Sequence, residues 1–173
     1  MAASSTTTVS RWLGNDVQDA MSLEETQTFF ETYRDAFNRL DGDAVADLWN
    51  DRSAITSAGK DGTATLAWWS EDAPMRANHH ALCDGYRRAG YDHADFAIEQ
   101  HLPLGADHAF AHLHWQLWRQ DGTLLQQFHT GYQLIRTAAG VRVLLVVAHQ
   151  EKVQTMLRLD DTNSDAGNDA GLH

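Results

Sequence analysis

The sequence predicts an α+β layer fold, with three helices first and an antiparallel meander after them. Three observations predict it. The segment "SLEETQTFFETYRDAFNRL" repeats apolar side chains at helical spacing, the chain past Gly90 alternates apolar and polar residues at strand spacing, and Asp121-Gly122 and Gly140 supply the turns between strands. With 173 residues, 43% of them hydrophobic, the chain is sized for one domain with one core.

The first helix opens on Ser22 and Glu25 in capping-box spacing, and Phe29, Phe30, Tyr33, Phe37 and Leu40 fall three or four apart along its buried stripe. Asp41-Gly42 is expected to end it. Asp43 is then placed to cap a second, short helix that buries Ala44, Val45, Leu48 and Trp49. Two short strands are expected at 53–58 and 63–69, around "GKDG". A third helix should start near Asp72-Ala73-Pro74, with proline in its first turn, and stop at Gly90. The histidines His79 and His80 on it point in different directions and are expected to be exposed. Cys83, the only cysteine, reads as a small apolar filler, and its solitude excludes a disulfide within the chain.

Strands are expected at about 93–102, 108–119, 124–136 and 141–150. A two-residue turn at Asp121-Gly122 fixes the cross-strand neighbours: Trp115 faces Phe128, Leu113 faces Thr130 and Ala111 faces Tyr132 on one side of the sheet. On the other side His114 faces His129, and His112 faces Gly131. A four-residue turn through Gly140 would continue the aromatic side with Val143 by Leu134, Leu145 by Tyr132, Val147 by Thr130 and His149 by Phe128; a turn one residue shorter would reverse that last assignment. In the preferred register Leu144, Val146 and Ala148 make the reverse side of the last strand apolar, as expected of a surface that meets another copy of the chain.

The histidines of "AHLHWQLW" invite a metal reading, since two imidazoles at i and i+2 plus a third across the strand suit zinc, copper or iron. No carboxylate is expected near them on that face, so the expectation is a protein with no metal and no cofactor. The net charge of −11 opposes binding to nucleic acid and to anionic membranes, and no apolar run approaches the length of a membrane span. A cytoplasmic protein is expected. Segment 1–21 is read as a flexible N-terminal part with a possible short helical stripe through Trp12, Leu13, Val17, Ala20 and Met21. The domain is read as 22–152 and a mostly disordered extension as 153–173, with 1–10 and 160–173 the loosest parts.

The hairpin "FFETYRDAFNRLDGDAVADLW", a third helix, and the closing strands "TGYQLIRTAAGVRVLLVVAHQE" together resemble the nuclear transport factor 2-like superfamily, in particular its SnoaL-like or ketosteroid-isomerase-like branch. The resemblance implies a cone-like curved antiparallel sheet wrapped around the three N-terminal helices, a pocket between sheet and helices, and homodimers formed through the outer sheet face. Carried over residue by residue, the isomerase's tyrosine lands on Tyr33, its general-base aspartate on Ser57 and its second, protonated acid on Thr130. Both carboxylates are therefore missing, and isomerase chemistry of that type is unsupported. The inferred pocket lining is Tyr33, Trp49, Ser57, Trp115, Phe128, Thr130, Tyr132 and His149. The leading expectation is a binding protein for a small apolar or aromatic ligand, of aromatic or polyketide-like character. The alternatives are an enzyme of the cyclase, dehydratase or isomerase type, with His149 as base and Tyr33 as hydrogen-bond donor, and a dimerisation module without catalysis.

Overall fold

The computed structural model describes residues 20–58 and 63–149, and within them the order of elements is as expected. Helices α1 (Leu23–Asn38) and α2 (Gly42–Ala46) precede strands β1 (Trp49–Ala58) and β2 (Ala64–Trp69). Helix α3 (Asp72–Arg88) follows, and then β3 (Tyr91–Pro103), β4 (His108–Arg119), β5 (Leu124–Thr137) and β6 (Gly140–His149). The six strands form one curved sheet in the order β2-β1-β6-β5-β4-β3, with the helices on its concave side. All neighbours are antiparallel except β1 and β6, whose parallel pairing joins the first hairpin to the end of the meander. The expectations for the two ends of the chain and for the "GKDG" loop lie outside the described residues, except at Ala20 and Met21, which are not helical and of which Met21 is fully buried in the core.

Local chemistry explains each helix boundary. Ser22 Oγ accepts from Glu25 N at 3.0 Å and caps α1. The helix ends in a Schellman pattern, Asp41 N on Ala36 O and Leu40 N on Phe37 O, with Leu40 itself in the left-handed region at φ 48°. The residue that caps α2 is Asp41, which accepts from Ala44 N at 3.0 Å, and not Asp43. Gly42 was expected to stop α1; it opens α2 instead, where α3 crosses it so closely that a Cβ would lie 2.7 Å from His80 Nδ1 and 3.0 Å from His80 Cα. Helix α3 carries Pro74 in its first turn and ends before Gly90, at φ 78°.

Between β4 and β5 the expected neighbours are all found: Trp115 with Phe128, His114 with His129, Leu113 with Thr130, His112 with Gly131, Ala111 with Tyr132. The turn that makes them is different. Arg119 N bonds Thr123 O, Gly122 takes φ 77°, and Trp118 pairs with Leu124, a loop one residue longer than expected; a bulge before Gln126 then restores the pairing. The faces of β4 separate cleanly, with Ala109, Ala111, Leu113, Trp115 and Leu117 buried beneath the helices and His112 and His114 on the reverse.

The last strand departs from the expectation halfway along. Leu134 pairs with Val143, as expected, although Thr137 and Gly140 also pair and leave a two-residue turn in place of the four-residue one; Gln133 then pairs with Leu145, so Leu144 is the extra residue of a bulge. A one-residue slip exchanges the faces of everything beyond it. Tyr132 therefore pairs with Val146, Thr130 with Ala148 and His129 with His149. Val146 belongs to the core and Ala148 packs against it, so beyond the bulge the outer face of this strand carries Leu145 and Val147 in place of Val146 and Ala148.

Candidate functional site

Between helices and sheet lies a cavity of about 100 Å³. Helix α1 contributes Tyr33 and Phe37, β1 contributes Trp49 and Ile55, α3 contributes Asn78, His79, Leu82 and Tyr86, and the floor is made by inward positions of β3 to β6. Because floor residues alternate along strands, Trp115, Phe128, Thr130 and Tyr132 reach the same side from neighbouring strands. Around them the rings form a connected cluster: Phe30 meets Tyr132 at 4.8 Å between centroids, Phe96 meets Trp115 at 5.2 Å, and Tyr33 lies 6.0 Å from Tyr132.

Six of the eight residues expected to line the pocket do so: Tyr33, Trp49, Trp115, Phe128, Thr130 and Tyr132. Two do not. Ser57 is absent from the cavity walls, and its hydroxyl lies 2.9 Å from Thr65 Oγ1 of the β1–β2 hairpin. His149 pairs with His129 rather than Phe128, because the β6 bulge removes the register that was to bring it beneath the helices. The register by which His149 was expected to reach Tyr33 is therefore not the observed one.

The cavity's histidine is His79, which was expected to be exposed. It is fully buried, lines the cavity, and its ring centre is 4.6 Å from that of Trp49, whose Nε1 donates to Tyr33 Oη at 3.3 Å. Burial, reinforced by the charges of His80 and Arg76, pulls its pKa down to about 3, so it is neutral near pH 7 with one donor and one acceptor nitrogen. A signal for it was present: Met75, His79, Cys83 and Tyr86 recur at helical spacing and are all buried on α3, while His80 falls off that stripe and is bonded to Asp43. Cys83 is buried as expected, and desolvation pushes its thiol up to about 11.

The polar atoms of this site matter more than their number suggests. Both ring nitrogens of His79, Nε1 of Trp115 and Oγ1 of Thr130 are buried without a protein hydrogen-bond partner among the described residues. Each such atom costs about 1–3 kcal/mol unless another polar group meets it. No Asp or Glu is among the cavity walls. Tyr91 is held by Asn38, whose Oδ1 accepts from Tyr91 Oη at 2.7 Å and from Ala94 N at 2.9 Å, and burial pushes its phenol further above the ordinary range.

On the reverse of the sheet the expectation of a face without carboxylates near the histidines is corrected. Glu99 lies there, with Oε1 3.3 Å from His129 Nε2 and Oε2 3.3 Å from His112 Nδ1. The reason is the β3–β4 register: Ala97 pairs with His114, so Glu99, two residues on, faces the same way, and a bulge after it sets Gln100 opposite His112.

Comparison with known proteins agrees with this architecture. A family model described as NTF2-like protein (DUF6841) matches residues 24–151. An NTF2-like protein of unknown function from Shewanella oneidensis superposes with a TM-score of 0.57 at 15% identity, covering 72% of this chain and 96% of that one. A domain of unknown function with a cystatin-like fold from Nostoc punctiforme gives 0.56 at 13% identity, over 84% and 90%. A ketosteroid isomerase-like protein from Erwinia carotovora gives 0.51 at 16% identity, over 73% and 93%. At such identities the likeness is one of fold. No curated protein matches the chain.

Proposed function

The chain belongs to the NTF2-like family described as DUF6841, and on that premise we propose that it binds a small, mostly apolar molecule carrying one or two polar groups. The observation that carries the proposal is the pairing of an aromatic wall with partnerless polar atoms on His79, Trp115 and Thr130. A filled core has no use for such atoms, whereas a ligand hydroxyl or carbonyl meets them. Size narrows the class. A cavity near 100 Å³ is smaller than the ~150 Å³ that takes benzene and far below the roughly 300–1,000 Å³ of drug-sized pockets. The fit is to a single small ring or a short chain, and a polyketide-sized ligand would need the walls to move.

Binding is favoured over proton-transfer catalysis by the chemistry of the walls. A general base works best with a pKa near the working pH, and His79, at about 3, is a weak base. We further propose that two copies pair through the outer sheet face, where Phe110, Trp118, Ile135, Leu145 and Val147 remain half-buried in the single chain.

The test is a titration of the protein with phenol and with cyclohexanone, followed by the fluorescence of the cavity tryptophans. Saturable quenching is expected for at least one probe, weakened about tenfold by Thr130→Val, since a lost hydrogen bond is worth about 1.4 kcal/mol. Val146→Phe, which fills the cavity, should abolish it. Quenching that is equally strong in Val146→Phe would place the probe elsewhere and overturn the proposal, as would no quenching by either probe.

A further inference from the structure

We propose that the outer face of the sheet carries a binding site for a divalent cation of the zinc class, with Glu99, His114 and His129 as its ligands and His112 as the residue that orients Glu99. Strand geometry assembles it. His112 and His114 stand two apart on β4 and share a face, and the β4–β5 register sets His129 directly opposite His114, with ring centres 4.7 Å apart and planes within 21°. On β3, Glu99 lies two residues past Ala97, the partner of His114, and so faces the same way, beside Gln100, the partner of His112. One nitrogen from each of His114 and His129 and one oxygen from Glu99 all lie within 4.8 Å of one another.

These distances suit a metal as well as they suit an ion pair. Ligands bonded to zinc at about 2.0–2.1 Å in a tetrahedral array lie about 3.3–3.4 Å from each other. Glu99 Oε1 and His129 Nε2 already stand at 3.3 Å. Rotation of the half-buried His114 ring closes the remaining gap. A carboxylate needs a single imidazole to satisfy it, yet here three rings gather about one: His112 also stacks on His129, at 5.4 Å and 15°. His112 Nδ1 faces the second oxygen of Glu99 at 3.3 Å, the position from which an outer residue fixes a ligand's orientation. Two imidazoles and a carboxylate select zinc, cobalt, nickel or copper over magnesium or calcium. The fourth coordination position faces away from the sheet and is open to water or to a group from a second copy of the chain.

The site is independent of the cavity, which lies on the opposite side of the same strands. Its test uses the full chain stripped of metal by a chelator and titrated with Co2+, read by the visible absorption of bound cobalt, and with Zn2+, read by calorimetry. One ion per chain is expected. His129→Ala and His114→Ala should each weaken Zn2+ at least tenfold, Glu99→Gln on the exposed carboxylate by a similar factor without disturbing the fold, and His112→Ala by about tenfold. His93→Ala, on the same strand as Glu99 but bonded to Asp92, should bind as the parent does. Absence of a cobalt band and of a zinc heat at 100 µM of either ion would overturn the proposal. So would unchanged affinity in a Glu99→Gln, His129→Ala double variant whose circular dichroism matches the parent.

Discussion

Burial holds His79 neutral in the folded protein, and the cost of that falls on stability in acid. Its folded pKa lies below the ordinary histidine value of 6.5, so as pH falls the unfolded chain takes up the proton first. Whatever stability the protein has at neutral pH is present above about 6.5 and declines as pH drops toward 3. Between pH 6.5 and 5, a window largely above the carboxylate range, His79 alone removes about 2 kcal/mol, at 1.36 kcal/mol per unit. Urea unfolding of His79→Leu at pH 7 and pH 5 should show that much less acid sensitivity than the parent. The leucine variant should also be more stable at pH 7 by about 1–3 kcal/mol, because it removes a buried imidazole with no protein partner among the described residues. If His79 serves the ligand, that gain comes with weaker phenol binding; a variant both more stable and equally good at binding would reduce His79 to a packing residue. His101 shifts in the same direction through its own desolvation, so the comparison of variants, and not the parent's slope, isolates His79.

At the level of elements, close approach and register do most of the positioning. Gly42 lets α3 pass over the start of α2, and Arg76 of α3 ties the two together by reaching Asp47 at 2.6 Å as well as Asp72 on its own helix at 2.8 Å. Gly42→Ala should cost about 1–3 kcal/mol, since the nearest obstacles include His80 Cα, which is backbone and cannot swing away. Arg76→Ala, at a half-exposed network, should cost only about 1 kcal/mol, and less in high salt. Thermal unfolding in low and high salt separates the two effects. The elements themselves were legible in the sequence, because capping residues, proline in a first turn and apolar periodicity act over a few residues. The bulges at Glu99, Leu125 and Leu144 were not, since nothing in a local pattern says which residue of a strand will be left unpaired. One of them was harmless, cancelling a longer turn. Another, beside Glu99, set Gln100 opposite His112, and the third turned Val146 inward and set His149 opposite His129.

Taken as a whole molecule, the chain presents two chemically distinct faces on one sheet, an aromatic cavity on the concave side and a histidine cluster on the convex side. Pairing of copies through the convex side predicts a dimeric mass by light scattering at micromolar concentration, and Val147→Lys, at an outward position opposite Gly131, should shift it toward the monomer. A monomeric mass in the parent at those concentrations would rule that pairing out. No described helix is long and apolar enough to cross a membrane. By itself the sequence determined the order of helices and strands, the α+β class, the pairing of β4 with β5 and six walls of the cavity, because each follows from periodicity and short-range turn chemistry. Only the tertiary structure decided which histidine enters the cavity and which carboxylate meets the others. The first is settled by which side of α3 the sheet covers, of which the stripe through Met75, His79, Cys83 and Tyr86 carried a trace; the second depends on the register of β3 against β4, long-range packing that leaves no mark at Glu99 itself.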